Sequence, residues 1–337
     1  MSFKNRLLGL SALIFACAAL VSGCSSNPSA EQSLTIYSGR AEEYIAPFIE
    51  QFTAETGIKL DIRYGDSAAL AAQLLEEGEN SPADLFLSQD AGSLGAVSNS
   101  DLLQRLPSRL LTKVDAKYQS SKQDWIGVTG RVRVFAYSPE RVSNLPESVD
   151  DLTKPEWKGR IGIAPTNSSF QAFVTAMILN RGEAATQQWL TGIKQNNPKL
   201  YEKNSQIVEA IDAGQLDLGL VNHYYVWEVS EELGRTIKAK IDFFAPGDIG
   251  NMVNVSGAGI LKSSGKMDLA QRFIEFLLSD GIQKAVVDQT HEYSLVFPDL
   301  TPSGVPAFRE IKSPAVDLTS LSDLKRTQNL LIKVGLI

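Results

Sequence analysis

The chain has 337 residues, 43% of them apolar, and 32 basic against 39 acidic side chains give it a net charge of -7. That is enough for two domains with separate cores, and no basic patch suggests nucleic acid as a partner. The only cysteines are Cys17 and Cys24 and the only histidines His223 and His291, which excludes disulfide frameworks, thiolate zinc sites and histidine-rich metal cages.

Lys4 and Arg6 precede an apolar run from Leu7 to Val21, and Val21-Ser22-Gly23 leads into Cys24 with small residues where a signal peptidase would cut. This resembles a bacterial lipoprotein signal, residues 1–23, after which the Cys24 thiol is lipidated. The other reading is a plain secretory signal with an incidental cysteine. The run is too short for a membrane span of about 20 residues. Residues 24–32 then read as a flexible polar tether. Removing the signal takes away Lys4 and Arg6, so the charge becomes -9. The expectation is an acidic body in the periplasm or cell envelope, attached to a membrane through its lipid anchor only, with any metal held by oxygen or nitrogen.

A strand is predicted over Leu34–Tyr37, then a helix over Ala41–Thr56 with Ile45, Phe48, Ile49 and Phe52 on one face and Gly57 as its stop. Ile58, Leu60, Ile62 and Tyr64 alternate with charged residues, the period of a half-buried strand. Ser67–Glu77 reads as a helix ended by Gly78, and Asp84–Ser88 as a third strand, which opens a mostly parallel sheet covered by helices. The pattern restarts with a strand over Arg160–Ala164, a cap-rich turn and a helix over Phe170–Leu179. Helices over Glu183–Ile193 and Ser205–Ala213 and a strand over Leu216–Val221 come next. The strand Val253–Leu261 and the helix Met267–Leu278, with Leu269, Phe273, Ile274 and Leu277 on one face, come last.

The strand over Leu216–Val221 runs through Asn222 and His223 into adjacent tyrosines, Tyr224 and Tyr225. A hard trivalent cation prefers anionic oxygen, and a bound cation can deprotonate a phenol whose free pKa is about 10. The pair therefore suggests a ferric site; the alternative is two ordinary structural aromatics. Neighbours in a regular strand point to opposite faces, so both can reach one ion only if the backbone leaves the strand there. Other chemistry fares poorly. Ile260 stands where a phosphate-binding loop ending in Gly265-Lys266 needs glycine, and Gly65-Asp66-Ser67-Ala68-Ala69 lacks the second glycine of a nucleophile elbow. His223 reads as a loop residue that shapes the tyrosine turn, and His291, beside Glu292 and Tyr293, as structural or at a cleft rim.

Leu34-Thr35-Ile36-Tyr37-Ser38-Gly39-Arg40, Pro82-Ala83-Asp84-Leu85-Phe86, Gly130-Arg131-Val132-Arg133-Val134 after a tryptophan, and Asn222-His223-Tyr224-Tyr225 together resemble the periplasmic ferric-ion-binding proteins of ABC importers. The resemblance implies the two-lobed periplasmic-binding-protein fold of type II, an α/β fold with mostly parallel sheets, helices on both faces and crossing strands as a hinge. Lobe 1 would be residues 33–133 plus 255–305, and lobe 2 residues 134–254 plus 306–337, hinged near Val132–Tyr137 and Asn254. It implies a monomer with no enzymatic activity that closes on Fe(III) and presents it to a permease.

By the same resemblance Tyr224 and Tyr225 are the metal-binding phenolates. Asn167, Ser168 and Ser169, with Asn204 and Asn222, would hold a synergistic carbonate or phosphate. Asn167 and Ser168 could instead merely cap a helix. Arg40 could steady the anion through its guanidinium fork, or form a surface ion pair with Glu43 or Asp66. The first lobe departs from the family, because Ala41 follows Arg40 where many relatives have histidine and Gln89 stands where some have glutamate. Its share of the metal sphere would then come from Gln89, from Glu42 or Tyr44 after rearrangement, or from anion and water. The alternative function is the same clamp tuned to an organic anion, a phosphonate or a polyamine.

Overall fold

The computed structural model describes residues 32–337; the expected signal segment, Cys24 and nearly all of the tether lie outside the described residues. Chain order begins with β1 (Ser33–Ser38), α1 (Glu42–Thr56), β2 (Lys59–Tyr64), α2 (Ser67–Glu77), β3 (Leu85–Ser88), α3 (Ala91–Asn99) and the single turn α4 (Ser108–Leu111). The strand β4 (Trp125–Tyr137) leads into β5 (Ile161–Ile163), α5 (Ser168–Arg181), α6 (Glu183–Gln195), β6 (Lys199–Leu200), α7 (Asn204–Asp212), β7 (Leu218–Asn222) and α8 (Tyr225–Glu232). The chain ends with β8 (Lys240–Asp242), β9 (Val253–Ile260), α9 (Met267–Leu277), α10 (Asp280–Thr290), β10 (Tyr293–Ser294) and α11 (Leu324–Val334).

Local chemistry sets these boundaries. α1 buries Ile45, Phe48 and Phe52 and stops at Gly57, whose φ of 71° lets its N–H reach the Thr53 carbonyl. Asp66 caps α2 by accepting from the N–H groups of Ala68 and Ala69. α3, which sequence periodicity does not reveal, is buried almost all round. A Cβ on its Gly95 would come within 2.3 Å of the Thr319 carbonyl oxygen, so glycine is what lets the segment 318–322 lie against the helix.

Eight strands form one path in the order β2-β1-β3-β9-β4-β7-β5-β6, and β8 and β10 pair with β4 off that path. Parallel pairs β1–β2 and β1–β3 on one side and β5–β7 and β5–β6 on the other are those that crossover helices demand. β4 and β9 run antiparallel to their neighbours, so the sheet is mixed. β4 belongs to both sides: as far as Val132 it pairs with β9, and from Arg133 to Tyr137 it pairs with β7. α11 packs on α5 and α6, whereas the segment 318–322 before it lies chiefly along α3. Among the described residues no helix is long and apolar enough to cross a membrane.

Candidate functional site

β7 ends at Asn222, and the buried imidazole of His223 sets the course of the chain beyond it. Its backbone N–H donates to the Val132 carbonyl at 3.0 Å, and Nδ1 accepts from the Val132 N–H at 3.3 Å. Nε2–H then donates to the His291 carbonyl at 2.8 Å, and the ring stacks on Tyr293. Burial lowers its pKa to about 4, which keeps it neutral at pH 7. With His223 turned inward the chain leaves the strand, Tyr224 caps α8 and Tyr225 opens it. The two phenol rings stand together, 4.6 Å between centroids and 33° apart in tilt.

Both rings line a cavity of about 260 Å³, and so do Arg40, Tyr44, Gln89, Glu228 and Glu292. Arg40 and Tyr44 follow β1, Gln89 follows β3 and the tyrosines follow β7, so the cavity sits off the carboxyl ends of strands from both sides of the sheet. A larger hollow of about 800 Å³ runs along α6. It holds no phenol, and its charged groups, Arg181 and Asp150, pair with each other at 2.7 Å.

Electrostatics divides the cavity. The Tyr225 phenol is pushed well above its ordinary pKa, first by burial, then by Tyr224 and Glu228. Three buried guanidinium groups act on the cavity: Arg40 lines it, while the charge of Arg133 is felt by both phenols and that of Arg131 by Glu292. Arg40 pairs with the buried carboxylate of Glu292 at 2.8 Å, which also accepts from Thr129 Oγ1 at 2.9 Å. Burial works to raise the Glu292 pKa, but Arg40, with help from Arg131 and Thr129, holds it below the usual range. Among the described residues Arg131 Nε and Nη1 and Arg133 Nε have no hydrogen-bond partner. Burial pulls the Arg133 pKa down to about 9, against the pull of Tyr225 and Tyr224, so it stays charged at neutral pH.

Arg133 also ties together the residues expected around an anion. Its Nη1 donates to Ser169 Oγ at 3.1 Å, Asn204 Oδ1 at 3.2 Å and Asn222 Oδ1 at 3.4 Å, and its Nη2 to the Leu220 carbonyl at 2.8 Å. Asn222 Nδ2 donates to the Tyr224 hydroxyl at 3.4 Å. Asn167 caps α5 through the Ser169 N–H and also accepts from Asn204 Nδ2 at 3.1 Å, so the capping residue is itself part of the network. Ser168 opens α5, half-buried.

The sequence-derived residues do not all converge. Tyr224, Tyr225, Gln89, Tyr44 and Arg40 share the cavity, while Glu42 is exposed at the start of α1, outside its lining, with its charge acting on Tyr64 instead. Arg40 is turned inward to Glu292, and Asp66 is engaged in capping α2. Sequence reasoning missed Arg133, Glu228 and Glu292. Two arginines inside an otherwise apolar run, and a glutamate one helical turn past Tyr225, were the available signals. Among the described residues no group of three or more His, Cys, Asp and Glu side chains could hold a metal.

Residues 80–309 match the family model described as bacterial extracellular solute-binding protein. The Fe(3+)-binding periplasmic protein of Serratia marcescens is 34% identical over 342 residues, covering 100% of both chains. Iron-bound HitA from Pseudomonas aeruginosa superposes with a TM-score of 0.84 at 33% identity, covering 90% of this chain and 99% of that one. A Trichodesmium protein (IdiA, FutA) in complex with iron and citrate ligands superposes with a TM-score of 0.77 at 27% identity, covering 90% and 99%.

Proposed function

We propose, from the premise that this chain belongs to the periplasmic ferric-ion-binding proteins within the bacterial extracellular solute-binding family, that it captures Fe(III) in the cavity and delivers it to an ABC importer. The fold is that of type II periplasmic binding proteins. The single observation that carries the reading is the pair of phenols, 4.6 Å apart by ring centroid, in one cavity off the strand ends.

Ferric ion would displace the protons of Tyr224 and Tyr225, and the firmly held proton of Tyr225 makes affinity fall as pH drops. An anion would complete the sphere. Supporting it are three buried guanidinium groups set against the two carboxylates of Glu228 and Glu292, and the cradle of Asn167, Ser169, Asn204 and Asn222 around Arg133, with Ser168 beside it. Carbonate, phosphate or a carboxylate such as citrate would meet that surplus. A polyamine would be repelled by it, and an organic anion or phosphonate alone would leave the paired phenols without work.

The residues before and after the crossing strands would form two lobes, roughly 33–133 with 255–305 and 134–254 with the C-terminal helix, that close on the ion. The relatives are periplasmic binding proteins, and we assign this chain the same non-enzymatic role, with Cys24 as a lipid anchor and an ABC permease as its partner.

Phenolate bound to ferric ion absorbs visible light, so protein titrated with ferric citrate in carbonate buffer should turn orange to purple. The Tyr224→Phe, Tyr225→Phe double variant should stay colourless and lose binding. A colourless parent, or a double variant that binds iron as the parent does, would overturn the reading.

A further inference from the structure

The family resemblance leaves the first lobe's share of the metal sphere open between Gln89 and Tyr44, because Ala41 is no donor and Gln89 is not an anionic one. α8 supplies a substitute. Side chains three apart on a helix share a face, and Tyr225, Glu228 and Glu231 form such a row. Both outer members are located: Tyr225 lines the cavity, and Glu231 Oε1 bonds His291 Nε2 at 2.9 Å across the gap between α8 and the end of α10. Glu228, between them, lines the cavity too.

We propose that the Glu228 carboxylate is the third anionic oxygen ligand of the ferric ion, beside the phenolates of Tyr224 and Tyr225. This rests on the ferric reading above and specifies its donor set. The competing groups are less suited. Glu292 already balances the charge of Arg40, and the Gln89 amide is neutral. Charge agrees with the assignment: two phenolates and one carboxylate neutralise a trivalent ion, which leaves the buried guanidinium groups of Arg131 and Arg133, whose Nε atoms have no hydrogen-bond partner among the described residues, to balance the accompanying anion. All three donors lie within Tyr224–Glu228, so this one segment can seize the ion before the opposite side of the cavity engages it.

Glu228→Gln removes the charge and keeps the shape. Titrated with ferric citrate in carbonate buffer, it should still colour, because the phenolates remain, but the band should move to longer wavelength, since an ion with one anionic donor fewer accepts phenolate charge more readily. Affinity in citrate competition should fall at least about tenfold, while the metal-free variant melts with the parent. Glu228→Asp, with the charge kept on a shorter stem, should fall between the two. A Glu228→Gln variant with the parent's band and affinity would overturn the assignment and leave the ferric reading standing. A parent that never colours would overturn both.

Discussion

His223 is buried, neutral and bonded at both ring nitrogens, and the position of the tyrosine pair depends on it. Its pKa lies near 4 in the folded chain against 6.5 for an unperturbed imidazole. Below pH 6.5 the unfolded chain takes up a proton that the folded chain refuses, so the contribution of the neutral ring is complete above that pH and fades as pH falls toward 4. At about 1.4 kcal/mol per pKa unit the loss amounts to up to about 3 kcal/mol. Urea unfolding of the metal-free protein at pH 7 and pH 4 should show it, with a His223→Gln variant losing less over the same interval. The carboxylate of Glu292, held low chiefly by Arg40 against its burial, titrates in parent and variant alike and cancels in the comparison.

The two glycines Gly162 and Gly219, paired across β5 and β7, set how closely α7 approaches the sheet. A Cβ on Gly219 would meet Ile207 Cγ2 at 2.2 Å and the Gly162 carbonyl oxygen at 3.0 Å. Gly219→Ala should therefore destabilise the fold by about 1 to 3 kcal/mol through overpacking, read as a lower urea midpoint at unchanged slope. Because Asn204, which reaches Arg133, opens α7, iron affinity should weaken along with it. Such elements were legible to different degrees. α1, α2, α6, α7 and α9 show in the sequence because each buries one stripe, and α5, buried along most of its length, shows by the capping Asn167 before it. α3, with Gly92 and Gly95 and burial on nearly every side, has no stripe to display. β4 hides for a related reason: both its faces are buried, so its two ends read as short apolar runs and only the middle, around Arg131 and Arg133, alternates. The tyrosine pair was readable as chemistry. The buried ion pair of Arg40 with Glu292, 252 positions apart in sequence, was not, since nothing local announces so distant a partner.

At the scale of the whole molecule, β4 and β9 carry the chain between the strands on either side of the cavity, and β4 changes partners between Val132 and Arg133. Closure on iron would bend the molecule there. The radius of gyration measured by small-angle X-ray scattering should fall when ferric citrate is added to the metal-free protein, and should not change in the Tyr224→Phe, Tyr225→Phe variant. An equal radius with and without iron would argue against hinged capture.

The pairing of β4 with β9 skips one residue, Val128, between Gly127 and Thr129. From that bulge onward Thr129, Arg131 and Arg133 fall on one side of the ribbon and Val132 and Val134 on the other. Deleting Gly130, beyond the bulge, would slip the strand by one residue, putting Val132 where Arg131 stood and turning both cations toward the opposite apolar layer. The loss of one codon far upstream of the tyrosines would thus strip the site of these two guanidinium groups.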